Sequence, residues 1–139
     1  MSIWFKEYNV DDIVTENTMV EHLGIKITEL GEDYIVGTMP VDNRTKQPFG
    51  ILHGGASVAL AETLASYGGY LTIDSEKYHV VGVEINANHL KMAKEGNVTG
   101  KCTPIKRGRS TQVWQTDIEN DKGELICISR ITLMVLEKK

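Results

Sequence analysis

The chain has 139 residues, room for one domain spanning residues 1–139, since single domains usually run to about 100–150 residues. With 41% hydrophobic and 24% charged residues it has the balance of a globular chain, not of a disordered one. A net charge of −4 at pH 7 and a pI near 5.5 argue against a general nucleic-acid binder, because phosphate contacts need a supply of Lys and Arg.

Along the chain, an amphipathic stretch from about Asp11 to His22 predicts a helix, which Gly24 ends by supplying a left-handed residue. Two apolar runs, Ile25 to Leu30 and Tyr34 to Val41, flank Gly31-Glu32-Asp33 and read as a β-hairpin. From Asp42 to Gly50 the chain turns polar and carries Pro48 and Gly50, the marks of a loop. The Ala- and Leu-rich run from Leu52 to Tyr67 predicts one long helix, polar on no face and therefore enclosed, with Gly68-Gly69 weakening its end. Four β-branched or alternating runs follow: Val80 to Asn88, Asn97 to Ile105, Gln112 to Glu119 and Leu125 to Leu136. In the third, Trp114, Thr116 and Ile118 share one face and Gln115, Asp117 and Glu119 the other, a half-solvated strand. The last is apolar on both faces, which predicts a central strand or a subunit contact. The expected class is α+β, a mostly antiparallel sheet around a central helix.

Cys102 and Cys127 stand alone, without a CxxC or Cys/His cluster, so neither a disulfide framework nor a zinc site is indicated and a reducing compartment is expected. His22, His79 and His89 have no ligand spacing, and no metal is expected. No run approaches the roughly 18–20 apolar residues of a membrane span, and a cytoplasmic protein is expected. The charge is uneven: Lys91 to Arg109 holds six basic residues against Glu95, a local +5. That segment suits a compact polyanion, or it is a solvated basic face.

Glu62 departs from its surroundings. Its helical neighbours three and four residues away are Val58, Ala59, Ala65 and Ser66, none a basic partner. The carboxylate is either exposed at an edge or buried, and a buried one, stripped of water, is reactive toward an electrophile. At the helix start, free N–H groups of Gly54 and Gly55 sit at the positive end of the dipole, where they can stabilise an oxyanion; close packing alone would also explain two glycines. Glu62 lies seven or eight residues further on, about 10–12 Å along the axis. Both groups can meet at one carbonyl only if the carboxylate comes from a second copy of the helix. His53 can cap the helix or orient a substrate, Ser66 can hold a water beside Glu62, and Gln47 is a weak candidate by itself.

The run Met39-Pro40-Val41-Asp42, then Arg44 to Gly50, then Leu52-His53-Gly54-Gly55-Ala56-Ser57 through Ala61-Glu62, followed by Val81 to His89, resembles the hotdog-fold acyl-CoA thioesterases. The likeness is strongest to the branch that includes the 1,4-dihydroxy-2-naphthoyl-CoA thioesterase of menaquinone biosynthesis and the proofreading thioesterase of the enterobactin pathway. The resemblance implies a long helix wrapped by a curved antiparallel sheet, dimers with a continuous sheet, and homotetramers built from them. It implies Glu62 as catalytic carboxylate, Gly54 as the N–H that polarises the thioester carbonyl, Gln47 and His53 as positioning groups, and Ser66 orienting water. CoA contacts are expected around Gly82, at His89, Leu90, Lys91 and Met92, and along Lys106, Arg107, Gly108, Arg109, Ser110 and Thr111, a segment more basic than the branch leads one to expect.

The resulting expectation is hydrolysis of aromatic acyl-CoA thioesters, with 1,4-dihydroxy-2-naphthoyl-CoA the leading substrate and no cofactor beyond the CoA that the substrate carries. Glu62 attacks the carbonyl directly or deprotonates a water, and the sequence leaves both open. A proofreading hydrolase of aryl groups on acyl or aryl carrier proteins is the alternative. A hotdog dehydratase and a non-enzymatic acyl-CoA sensor rank lower: the first lacks its motif here, and the second needs no carboxylate at position 62. Tyr67 and Tyr70 are candidates for the acyl pocket.

Overall fold

The computed structural model describes all 139 residues. Six strands form one antiparallel sheet: β1 (Lys26–Leu30), β2 (Ile35–Pro40), β3 (Tyr78–His89), β4 (Asn97–Arg107), β5 (Thr111–Glu119) and β6 (Leu125–Glu137). Their order is β1-β2-β4-β5-β6-β3. A one-turn helix, α1 (Met19–His22), precedes the sheet, and the long helix α2 (Gly54–Leu71) packs against β2 to β6. This is the hotdog arrangement, with the helix as filling.

The core lies between α2 and the sheet. Leu60 and Leu64 of α2 are fully buried against Ile35, Val98, Trp114, Ile118 and Leu133 of the strands, each leucine contributing about 1.5–3 kcal/mol by leaving water. The alternation of β5 falls as expected, with Trp114, Thr116 and Ile118 buried while Asp117 and Glu119 face solvent. The doubly apolar β6 is an interior strand between β5 and β3. No helix is long and apolar enough to cross a membrane.

Two expectations need correction. The helix expected over Asp11 to His22 does not form as one piece: a 3-10 turn at Val10–Asp12 and α1 are separated by Asn17, whose φ is +60°. Thr15-Glu16-Asn17-Thr18 is the cause, because short polar side chains compete for the backbone, as where Thr18 Oγ1 donates to Thr15 O at 2.6 Å. The N-terminal stretch that includes this segment instead forms a strap over the end of α2, where the Tyr67 hydroxyl donates to Val14 O at 2.9 Å. Trp4 Nε1 donates to Gly31 O at 2.6 Å, the Trp4 and Trp114 rings stack at 6.4 Å, and Phe5 N donates to Leu71 O at 2.8 Å. Gly24, with φ +75°, takes the expected left-handed position.

The second correction concerns Gly68-Gly69, which lie inside α2 without ending it; the helix runs on to Leu71. A Cβ at Gly68 would lie 2.9 Å from the buried Trp114 ring, and one at Gly69 would lie 2.6 Å from Leu133. These glycines let the helix lie on the sheet, and the packing they permit outweighs their low helix propensity.

The edge strand β3 carries a bulge between Gly82 and Glu84. Strand side chains alternate, so Gly82 and His89, seven residues apart, would face opposite sides of a regular strand. The extra residue shifts the phase. Val80 and Gly82 before the bulge, and Ile85, Ala87 and His89 after it, all face α2.

Candidate active site

Helix α2 begins in a way that leaves one backbone donor free. His53 is the N-cap; its Nδ1 accepts the Gly55 N–H at 2.8 Å, and its carbonyl accepts from Ala56 and Ser57. Of the first four N–H groups only that of Gly54 has no partner. The expected pair of donors therefore reduces to Gly54, since Gly55 is spent on the cap. With Nδ1 accepting, the neutral imidazole of His53 carries its proton on Nε2, and the side chain is exposed.

Around Gly54 lies a depression of about 350 Å³ lined by Gln47, Ser57, His89, Leu90, Lys91 and Met92 among others. A Cβ at Gly54 would come within 2.8 Å of His89 Nε2, so glycine is what allows His89 to close on the helix start. Gln47 Oε1 accepts the Phe49 N–H, which leaves Nε2 as the donor available to a ligand.

Two turns down the helix is a second depression, of about 490 Å³, lined by Glu62 and Ser66 together with Tyr67, Tyr70, Val80 and residues of α1. Glu62 is exposed in the single chain. Its carboxylate lies over Gly82, where a Cβ would sit 2.8 Å from Oε2, so any side chain at 82 would displace it.

The residues singled out from the sequence thus fall into two groups. Gln47, His53, Gly54 and His89 to Met92 cluster at the start of α2, while Glu62, Ser66 and Gly82 cluster near its middle. The separation of Gly54 from Glu62, eight residues or about 12 Å of helix, keeps them apart within one chain, as the spacing requires. Lys106 to Thr111 form the β4–β5 turn, next to the Glu62 end of β3, since Thr111 pairs with Met134 and Met134 with Val81.

The local +5 does not form one patch. Lys91 pairs with Glu124 at 2.6 Å, and this contact holds the Glu124 carboxyl below the usual carboxylate range. Lys101 stacks over the Tyr34 ring at 4.3 Å. Lys106, Arg107 and Arg109 are at the far end of β4, some 30 Å from Asn97 at about 3.3 Å per residue. The sequence reading missed Ser57 beside Gly54, and it missed Met19, Val20 and Val80, which build the wall facing Glu62. Their residue types carry no catalytic signal, and only the fold brings them there.

Comparison with known proteins identifies the family. Residues 49–127 match the Thioesterase superfamily. The chain is 48% identical over 136 residues to the 1,4-dihydroxy-2-naphthoyl-CoA hydrolase of Escherichia coli, covering 96% of this chain and 99% of that protein. It is 47% identical to the proofreading thioesterase EntH of Cronobacter sakazakii, again covering 96% of this chain and 98% of that protein. The crystal structure of a Haemophilus influenzae thioesterase superposes with a TM-score of 0.94 at 50% identity, covering 97% of this chain and 95% of that one. With a free helix-start N–H, an exposed carboxylate on the same helix and this kinship over nearly its whole length, the chain belongs to the Thioesterase superfamily and is a hotdog-fold thioester hydrolase.

Proposed function

We propose that the protein hydrolyses aromatic acyl-CoA thioesters in the cytoplasm, with 1,4-dihydroxy-2-naphthoyl-CoA the leading substrate, in an active site assembled from two subunits of a homotetramer built from dimers. One observation carries the composite site: Gly54 and Glu62 lie two turns apart, each in its own depression. Both touch β3, an edge strand of 12 residues. An open edge of that length favours pairing, because its N–H and C=O groups lack partners. Antiparallel pairing of two β3 strands about a two-fold axis near Ile85 and Asn86 sets the Gly82 end of one beside the His89 end of the other. Glu62 of the partner subunit then approaches the Gly54 N–H.

In such a site the Gly54 N–H and the Gln47 amide receive the thioester oxygen as it becomes an oxyanion. Glu62 attacks the carbonyl carbon to give a mixed anhydride that water opens, or it takes a proton from the water that attacks. In either case the C–S bond breaks, CoA leaves and takes up a proton as its thiol, and the acid is released. Ser66, in the same depression, orients the water. Gly82, His89 to Met92 and Lys106 to Thr111 hold the CoA, which belongs to the substrate, so no further cofactor is needed.

The mouth of the Gly54 depression favours a second reading. Leu90 and Met92 are 54% and 64% exposed there, beside Lys91. An exposed apolar rim suits a carrier protein that delivers the same kind of thioester on its own arm.

The test is CoA release followed with a thiol reagent on naphthoyl-, benzoyl-, phenylacetyl- and dodecanoyl-CoA, for the wild type and Glu62→Gln. The aryl thioesters should be preferred, and Glu62→Gln should lose several orders of magnitude. Preference for dodecanoyl-CoA would overturn the substrate class, and full activity in Glu62→Gln would overturn the mechanism.

A further inference from the structure

We propose that Ser57 is a further catalytic residue, its hydroxyl donating to the thioester oxygen beside the Gly54 N–H as that oxygen becomes an oxyanion. The inference rests on the reading of the Gly54 depression as the place where the thioester carbonyl sits.

Five polar residues are buried in this chain: Thr45, Ser57, Gln112, Thr116 and Ser129. Four of them have protein partners. Thr45 Oγ1 donates to Pro40 O at 2.7 Å, and Ser129 Oγ donates to Asn86 O at 2.8 Å. Gln112 donates to Thr72 Oγ1 and accepts from Trp114 Nε1, while Thr116 hydrogen-bonds the Cys102 thiol. Ser57 is only 2% exposed, yet its hydroxyl bonds no protein group. A helical serine or threonine can return its hydroxyl to the carbonyl four residues back, as Thr63 does to Ala59 O at 2.6 Å. For Ser57 that carbonyl is His53 O, which receives the backbone N–H groups of Ala56 and Ser57 instead. No fully enclosed side-chain oxygen or nitrogen of the chain lacks a partner. The small part of Ser57 that remains open is therefore its hydroxyl, and it opens onto the Gly54 depression that Ser57 lines.

Helix geometry sets the direction of that hydroxyl. Helical side chains lean toward the N-terminus, so the side chain of Ser57, three residues and about 4.5 Å beyond Gly54, leans back over the first turn. Gly54 has no Cβ to stand in between, and the same gap admits His89 Nε2. The Gly54 N–H and the Ser57 hydroxyl thus face one space of about 350 Å³. A buried hydroxyl without a partner costs stability, and a ligand atom that accepts from it recovers that cost. An oxyanion accepts more strongly than a neutral carbonyl, so the bond is strongest in the transition state and acts on kcat. The hydroxyl keeps its proton throughout, and the oxyanion returns its electron pair to the carbonyl as the C–S bond breaks.

The experiment compares wild type, Ser57→Ala and Ser57→Cys on benzoyl-CoA by CoA release and thermal unfolding. Ser57→Ala should lower kcat by about 10²-fold, the lower end of what one oxyanion donor contributes, and leave KM within about twofold of the wild type. Its melting temperature should be equal or higher, because alanine is the better helix former and no bond within the protein is lost. A hydroxyl with a structural duty would lower it instead. Ser57→Cys, close in size but a weak donor, covers the case in which the alanine variant does not fold and should show a loss of similar size. A kcat within about twofold of the wild type, or a change confined to KM, overturns the assignment. A second readout needs no turnover. In the Glu62→Gln background, where the substrate survives, the infrared carbonyl band of bound, isotopically labelled benzoyl-CoA should move to higher frequency when Ser57→Ala is added, since one polarising donor is gone. An unmoved band overturns the assignment too. Failure of the wild type to release CoA would count against the hydrolytic reading alone, because the band decides the contact independently.

Discussion

The free N–H of Gly54 can be deleted without removing any side chain. Gly54 is the first residue of α2, the helical position in which proline is best accommodated because the N–H there has no helical partner. His53, at φ −69° and ψ 130°, already has the extended conformation required before proline. Gly54→Pro therefore keeps the helix, and the stiffer unfolded chain adds about 0.4–1 kcal/mol of stability. The new Cβ meets His89 Nε2 at 2.8 Å, a contact that a small rotation of the exposed His89 ring relieves. Gly54→Ala makes the same contact and keeps the N–H, so the two variants differ by the hydrogen-bond donor and by the proline ring carbons that take its place. The N–H groups of Gly55, Ala56 and Ser57 are committed to His53, which leaves no neighbour to take over. The expected loss in kcat for Gly54→Pro relative to Gly54→Ala is about 10²–10³, or about 3–4 kcal/mol of transition-state stabilisation. CoA release and thermal unfolding, measured on both, make the comparison. Equal turnover by the two variants would refute the role assigned to this N–H.

Other outcomes follow from the packing and the charges. Gly68→Ala should destabilise the protein by about 1–3 kcal/mol in denaturant titration, because overpacking against the buried Trp114 ring, 2.9 Å from the new Cβ, exceeds the roughly 1 kcal/mol gained in helix propensity. Burial pushes the Cys102 thiol from an ordinary 9.0 up to about 12 and raises Cys127 as well, so native protein at pH 8 should resist iodoacetamide and take up two labels once unfolded. The unfolded chain releases the Cys102 proton first. Stability is therefore intact below pH 9.0 and eroded between there and about 12, a slope that Cys102→Ala should flatten. Charge reversal at Arg107 and Arg109 should raise KM for CoA thioesters more at low salt than at high, whereas an unchanged KM at low salt would remove that turn from the CoA site.

The strands and the long helix were legible because period-2 alternation and an Ala- and Leu-rich run each have one physical reading. Glu62 was legible as an acid on a helix with no basic neighbour, and Gly54 as a glycine at a helix start. The rest depended on what lies across from each residue. Gly68-Gly69 read as a weak helix end until Trp114 and Leu133 were seen against them. The bulge at Val83, which brings Gly82 and His89 to one face, has no sequence mark of its own. A run of basic residues along Lys91 to Arg109 looked continuous, yet a strand of 11 residues carries its two ends apart. The strap was misread as a helix because its apolar residues were assigned to a helical face, when Val14 O instead receives the Tyr67 hydroxyl and α1 borders the Glu62 depression.

The most direct test of the two-subunit site is complementation. Glu62→Ala and Gly54→Pro are each expected to be nearly inactive, but a dimer with one copy of each holds one site with both groups intact and one site with neither. Random assembly on co-expression should return about a quarter of wild-type activity, since half the dimers are mixed and each mixed dimer has one working site. Tetramers isolated through two different tags and verified by mass as two copies of each chain should reach about a third, since about two in three of them consist of mixed dimers. If these verified hetero-oligomers remain as inactive as either parent, Gly54 and Glu62 do not act on one thioester across a subunit boundary.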